Sequence, residues 1–489
     1  MNKLSADFSI LQDSNKSNNN LPFLIIFWLT IYVPLEDFVV GLLPFPSSFQ
    51  TLIRLLPEGV LYCLLLAIIY QRLSSGSNLR KTPIDILVVA FFISSLISIA
   101  INQADIFESI ANLRTNWRYL SVYYIVVNLD ISIVQITKIL KTIQFTGLLQ
   151  AYLSSIQFFL PDSINQSLFT RSDSKAGLGK IKSGSTFGTF SSPANLSSFL
   201  LLTSTVLFAY AFTSNSGILH KNTDIFHTIV IFFGIFATKK RASLVIAIIV
   251  PVLVLFFLKK TKKISIILWL STTSVFIFSF LNMWISPLIS DQSLLEINNS
   301  GYSSGDTQNF SYFSILFSQD YWNSEFENSR GFVISLVCTA VIKSLSWFGF
   351  GPSLSSVETG INNALSLVAH EQIKLSNVLF VLDDPYWFAL LAYFGIVGLL
   401  LYWLIFFRLY QTSKFLIRFS SRREYKLLGV IFCSICILVF LYSFVERILR
   451  LRACTFYFWL LAGLIVNACY SENFSLKKQN INIYNKKLI

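Results

Sequence analysis

Long apolar runs, separated by short polar or basic junctions, fill most of this chain. Twelve such windows lie near 21–34, 51–70, 83–101, 116–129, 142–160, 193–213, 225–238, 242–258, 264–286, 386–407, 427–445 and 453–470. Most have the length at which a helix crosses the hydrocarbon core of a bilayer; those at 116–129 and 225–238 are short. In lipid every backbone group needs an internal partner, and no ten-residue alternation suggests a barrel, so the segments are read as helices. The pattern predicts an all-α integral membrane protein with about 12 transmembrane helices and one large outer-face loop containing amphipathic helices.

The expected organisation is a polar tail at 1–20, an N-terminal bundle of about nine spans at 21–286 with an outer loop at 161–192, and a large loop at 287–385. C-terminal transmembrane helices follow at 386–470, and a basic tail at 471–489. The first apolar run lacks a small-residue cleavage site and is read as a retained span. The large loop opens with the polar, irregular SDQSLLEINNSGYSSGDTQNFS. Two amphipathic stretches follow, GFVISLVCTAVIKSL and LSLVAHEQIKLSNVLFVL, joined by the turn-rich WFGFGPSLSSVETG. Such segments suit the membrane surface and the covering of a cavity.

Lys and Arg set the expected orientation. Both tails lie inside, together with Arg72, Arg80, Lys81, Lys138, Lys141, Lys221, Lys259, Lys260, Lys262, Lys263, Arg408, Lys414, Arg418, Arg422, Arg423 and Lys426. Composition agrees: 54% of residues are apolar, 47 are Phe, and 13% are charged, against roughly 25% in soluble proteins. The net charge of +13 sits in short clusters between apolar runs, which selects membrane lipids as partners and excludes nucleic acid. Cys433 and Cys436 form a CxxC inside an apolar run, read as packing on one helix face. With only three His and no cluster at metal-ligand spacing, neither metal nor cofactor is expected.

The informative cations are those that orientation does not explain. Lys239, Lys240 and Arg241 stand at an outer boundary between two spans. They either snorkel to headgroups or grip a lipid diphosphate, which a guanidinium binds with two parallel hydrogen bonds. Arg330 opens an amphipathic helix, where the positive end of the helix dipole disfavours it. It meets either an external anion or Glu325 or Glu327. His370 is a candidate base or a solvated surface residue. Asp383 and Asp384 precede a span and either cap it or take a proton from a hydroxyl. Arg447, Arg450 and Arg452 join the last two spans and either anchor headgroups or complete an anion site. Glu58 is an intramembrane charge with Arg54 one turn earlier as its expected partner.

Several segments, in this order, resemble the O-antigen ligase and O-antigen polymerase superfamily of bacterial membrane proteins. They are STFGTFSSPANLSSFLLL, ATKKRASLVI, SRGFVISLVCTAVIKSLSWFGFGPS and DPYWFALLAYFGIVGLLL, and they cover roughly residues 180 to 410. The resemblance implies transfer of an undecaprenyl-diphosphate-linked glycan at the periplasmic face of the inner membrane. It makes Arg241 and Arg330 the catalytic and diphosphate-binding arginines, aided by Arg447 and Lys240, with Asp384 or His370 at the acceptor. A flippase and a chain-length regulator are the implied protein partners. Ligases carry a His eleven residues before the Gly that Gly395 matches. Asp384 stands there in this chain, which turns the expected reaction towards polymerisation. A ligase reaction, and the transport associated with one branch of the superfamily, are the alternatives.

Overall fold

The computed structural model describes residues 20–42, 46–160, 185–213, 221–259, 330–366, 382 and 384–486. Among these residues there is no strand. The helices are α1 (Asn20–Leu42), α2 (Ser47–Ser74), α3 (Asp85–Ile101), α4 (Ile106–Asn116), α5 (Leu120–Asn128), α6 (Ile133–Phe159) and α7 (Pro193–Thr213). They continue as α8 (Lys221–Ala237), α9 (Arg241–Phe257), α10 (Arg330–Ser344), α11 (Leu354–Ser366), α12 (Tyr386–Phe419), α13 (Arg423–Tyr442) and α14 (Arg452–Lys486). A 3₁₀ turn at Ile448–Arg450 precedes α14.

Across the described residues the chain is all-helical, with the long apolar helices of a multi-pass membrane protein. Among the described residues six helices are long and apolar enough to cross a membrane: Leu21–Gly41, Ser48–Ser74, Pro193–Thr213, Tyr386–Phe419, Arg423–Tyr442 and Arg452–Glu472. Shorter apolar helices occupy Asp85–Ile101, Phe226–Ala237, Ala242–Phe257 and Val333–Ser344. In α3 the side bearing Val88, Phe91, Ser95 and Ser98 is buried, while Ile86, Val89, Ile93 and Leu96 are exposed. An apolar outer face over a more polar inner one is the inverse of a water-soluble helix and suits hydrocarbon. The expected span at 264–286 and the loop stretches at 287–329 and 367–381 lie outside the described residues.

The window expected as one span at 116–129 holds a single short helix, α5, which follows the end of α4 after a turn. Tyr119 adopts the left-handed conformation (φ 65°) and separates α4 from α5. At nine residues α5 is only roughly 14 Å long, too short to cross a bilayer, and it is buried against α14 and α2. The carbonyls at its C-terminal end, which have no partners within the helix, receive side-chain donors. Arg80 donates to Val127 O and Leu129 O, Arg72 to Asn128 O, and Asn467 to Val126 O. Asp130 pairs with Arg80 at the same end.

Polar residues inside α6 have a similar purpose. Gln150, Ser154 and Gln157 face inward and hold the segment 186–190 within the bundle. Gln157 accepts from Phe187 N (3.1 Å) and Gly188 N (2.8 Å), Gln150 accepts from Thr189 N (3.1 Å), and the Ser154 and Thr186 hydroxyls are 2.6 Å apart. Pro34, within α1, cannot donate to the Thr30 carbonyl; the Tyr457 hydroxyl does so at 2.7 Å. Cys433 and Cys436 are free thiols buried on α13, in line with packing.

Helix α12 breaks at Gly395 (φ 68°, ψ −166°), a conformation essentially restricted to glycine. The WFGFG stretch meets this break with its backbone, Phe350 buried and Trp347 exposed. Phe350 N donates to Ala392 O (2.8 Å), Val397 N to Trp347 O (3.1 Å), and Ser98 Oγ to Tyr393 O (3.0 Å). The helix is interrupted without leaving these groups unpaired.

Candidate anion-binding cavity

The C-terminal part of α1, the first turns of α2, α4, the segment 190–195 and the link between α13 and α14 meet at one end of the bundle. They enclose a cavity of about 430 Å³ lined by five arginines, Arg54, Arg118, Arg447, Arg450 and Arg452, and two carboxylates, Glu36 and Asp37. Asn112, Thr115, Ser191 and Asn195 complete its polar wall. Two carboxylates share this wall with the five guanidiniums, and Glu58 and Asp384, outside the lining, pair with Arg118 and Arg447. Arg72 lies at the other end of α2, eighteen residues and roughly 27 Å from Arg54.

Each guanidinium is held by a specific neighbour. Arg452 donates to Glu36 Oε1 and to Arg54 O (2.6 Å), and Arg54 lies 3.7 Å from Asp37, which also accepts from Ser191 N (3.1 Å). Arg118 Nε is 3.0 Å from Glu58 Oε1, and Arg114 is 3.6 Å from Glu58 Oε2. The Arg118 N–H is not aligned on that oxygen, so the contact is an ion pair rather than a directed hydrogen bond. Arg450 reaches the side-chain oxygens of Asn116 and Asn112 at 3.4 Å and lies over the Tyr393 ring, 5.5 Å from its centroid. Tyr393 is two residues before the break in α12, so the interruption at Gly395 helps set the ring beneath Arg450.

Among the residues singled out in the sequence, Arg447 lines the cavity and its Nε is 3.8 Å from Asp384. Arg241 is the first residue of α9, and Lys240 is the residue before it. Arg330 is the first residue of α10. One turn into α9 the Ser243 hydroxyl is 2.6 Å from the Tyr442 hydroxyl, which ties the start of α9 to the end of α13 beside the cavity link. Thr186 N bonds Ala237 O (3.1 Å), joining the α8–α9 junction to the segment that leads to Phe190 and Ser191. His370 and Asp383 lie outside the described residues. No family model and no curated protein matches this chain.

One expected pairing is corrected. Glu58 is paired with Arg118 and Arg114, and Arg54 turns instead to Asp37. Arg54 and Glu58 are neighbours by helical spacing, but the tertiary partners are nearer. Glu36, Asp37, Asn112 and Asn195 were not anticipated from the sequence. Two adjacent acids within the apolar IYVPLEDFVV were the available signal, because a charge within a span needs a compensating partner.

Chemically, such a lining can receive a charged, oxygen-rich group. Guanidiniums form paired hydrogen bonds to phosphate oxygens, and a partly enclosed cavity strengthens them relative to water.

Proposed function

We propose that this protein polymerises undecaprenyl-diphosphate-linked oligosaccharide units at the periplasmic face of a bacterial inner membrane. The reading includes about twelve spans and a cavity end that faces outward. The observation that carries it is the arginine-lined cavity at one end of an apolar bundle. A lipid-linked diphosphate needs both parts: hydrocarbon for its tail and fixed positive charge at the boundary for its headgroup.

In this reaction a hydroxyl of one unit attacks the anomeric carbon of another, and polyprenyl diphosphate leaves. Arg447 and Arg450, with Arg241 and Arg330 from the sequence resemblance, stabilise the negative charge that develops on the leaving group. Their charge is permanent at physiological pH. Asp384, paired with Arg447, positions that arginine. The flippase and the chain-length regulator belong to this reading as partners that supply and terminate the chain.

Transport is the second reading that a specific observation favours, because α12 is discontinuous and transporters use broken helices at their sites. Against it, the Ala392 and Tyr393 carbonyls beside the break are occupied by Phe350 N and Ser98 Oγ rather than open to an ion.

Undecaprenyl diphosphate binding to the purified protein tests the proposal. The wild type is expected to be stabilised against thermal unfolding, and Arg450→Ala to bind about ten- to a hundredfold more weakly, the loss of a charged hydrogen bond. A wild type indifferent to undecaprenyl diphosphate would rule the reading out.

A further inference from the structure

We propose that Glu36 is the catalytic residue that takes the proton of the attacking sugar hydroxyl; this rests on the polymerase reading above. Glu36 lines the cavity, is 2% exposed, and receives Arg452 on Oε1. Its Oε2 is buried and has no hydrogen-bond partner among the described residues. The neighbouring acids are differently placed: Asp37 accepts from Ser191 N beside Arg54, Glu58 is paired with Arg118 and Arg114, and Asp384 with Arg447. A buried acceptor left without a donor is costly, so a ligand that brings a donor is favoured at this point.

The chemistry of the substrate selects which part comes here. A diphosphate offers only acceptor oxygens and negative charge, and a carboxylate repels it. A sugar hydroxyl is a donor, and fits. The arginines and Glu36 therefore divide the cavity into a place for the leaving group and a place for the nucleophile. The terminal torsion of a Glu side chain is soft, so the carboxylate turns on Arg452 to present its second oxygen to the cavity. As the hydroxyl oxygen bonds to the anomeric carbon, its O–H bond breaks and the proton passes to Glu36. The bond from that carbon to the phosphate oxygen breaks, and its electron pair departs on the diphosphate. Glu36 later releases the proton to water.

The test compares wild type, Glu36→Gln and Glu36→Asp, each scored for undecaprenyl diphosphate binding when purified and for glycan elongation in a strain lacking the native protein. Glu36→Gln keeps the shape and the contact to Arg452 but removes the base. It is expected to bind undecaprenyl diphosphate like the wild type and to elongate about a hundredfold more slowly or worse. Glu36→Asp, whose oxygen sits about one methylene short, is expected to recover part of that rate. Elongation at the wild-type rate by Glu36→Gln would overturn the assignment, as would a loss of diphosphate binding in step with the loss of elongation. If Glu36→Gln fails to reach the membrane, full elongation by Glu36→Asp overturns the assignment, and slowed elongation with normal binding supports it. A wild type that neither binds nor elongates overturns the polymerase reading itself, a result distinct from failure at Glu36 alone.

Discussion

Glu58 shows what a single buried charge does in this fold. Its side chain is almost fully enclosed, as is that of Arg118, and the two neutralise each other within 3.0 Å. Glu58→Ala would leave Arg118 buried without its counter-ion, and we expect a loss of about 3 kcal/mol or more in unfolding experiments in detergent. An unchanged unfolding midpoint would show that the pair is not structural. The sequence made Glu58 visible as an intramembrane charge, but helical spacing pointed to Arg54, whereas tertiary packing supplied Arg118 and Arg114. The same limit applies across the cavity. Arg447, Arg450 and Arg452 cluster in the chain, whereas Arg54, Arg118, Glu36 and Asp37 converge from separate segments that no local pattern places together.

At the scale of elements, the breaks carry as much information as the helices. Most apolar windows became helices because length and hydrophobicity in lipid leave the backbone little alternative. The window at 116–129 and the continuous apolar run around Gly395 were misleading, since neither a left-handed residue at Tyr119 nor a break at Gly395 changes the hydropathy pattern. Gly395 has a positive φ, and a Cβ there would meet the backbone of Trp347. Gly395→Ala is therefore expected to cost about 1–3 kcal/mol from the conformation alone, with a further penalty from that contact. Because the break places Tyr393 beneath Arg450, the same substitution is expected to weaken undecaprenyl diphosphate binding. Normal binding and stability in Gly395→Ala would show that the break neither needs glycine nor shapes the cavity.

For the whole molecule, polymerisation at the periplasmic face requires the cavity end to face outward and the end bearing Arg72, Arg80 and Asp130 to face the cytoplasm. Phe107, exposed in α4 near the cavity end, and Ser75, exposed just beyond α2 at the other, are suitable reporters. In intact cells a membrane-impermeant thiol reagent is expected to label Phe107→Cys and to spare Ser75→Cys until the membrane is opened; the reverse pattern would invert the topology. The general architecture was legible because lipid imposes it on the sequence, while the reaction depends on side chains gathered from distant segments. The central claim is that this gathered charge serves glycan polymerisation. Its most direct test is glycan chain length in cells lacking the protein, complemented with wild type or with Arg450→Ala at matched membrane abundance. Long chains are expected with the wild type, and single repeat units with the empty strain and with Arg450→Ala. Full-length glycans in the strain without the protein would contradict the claim.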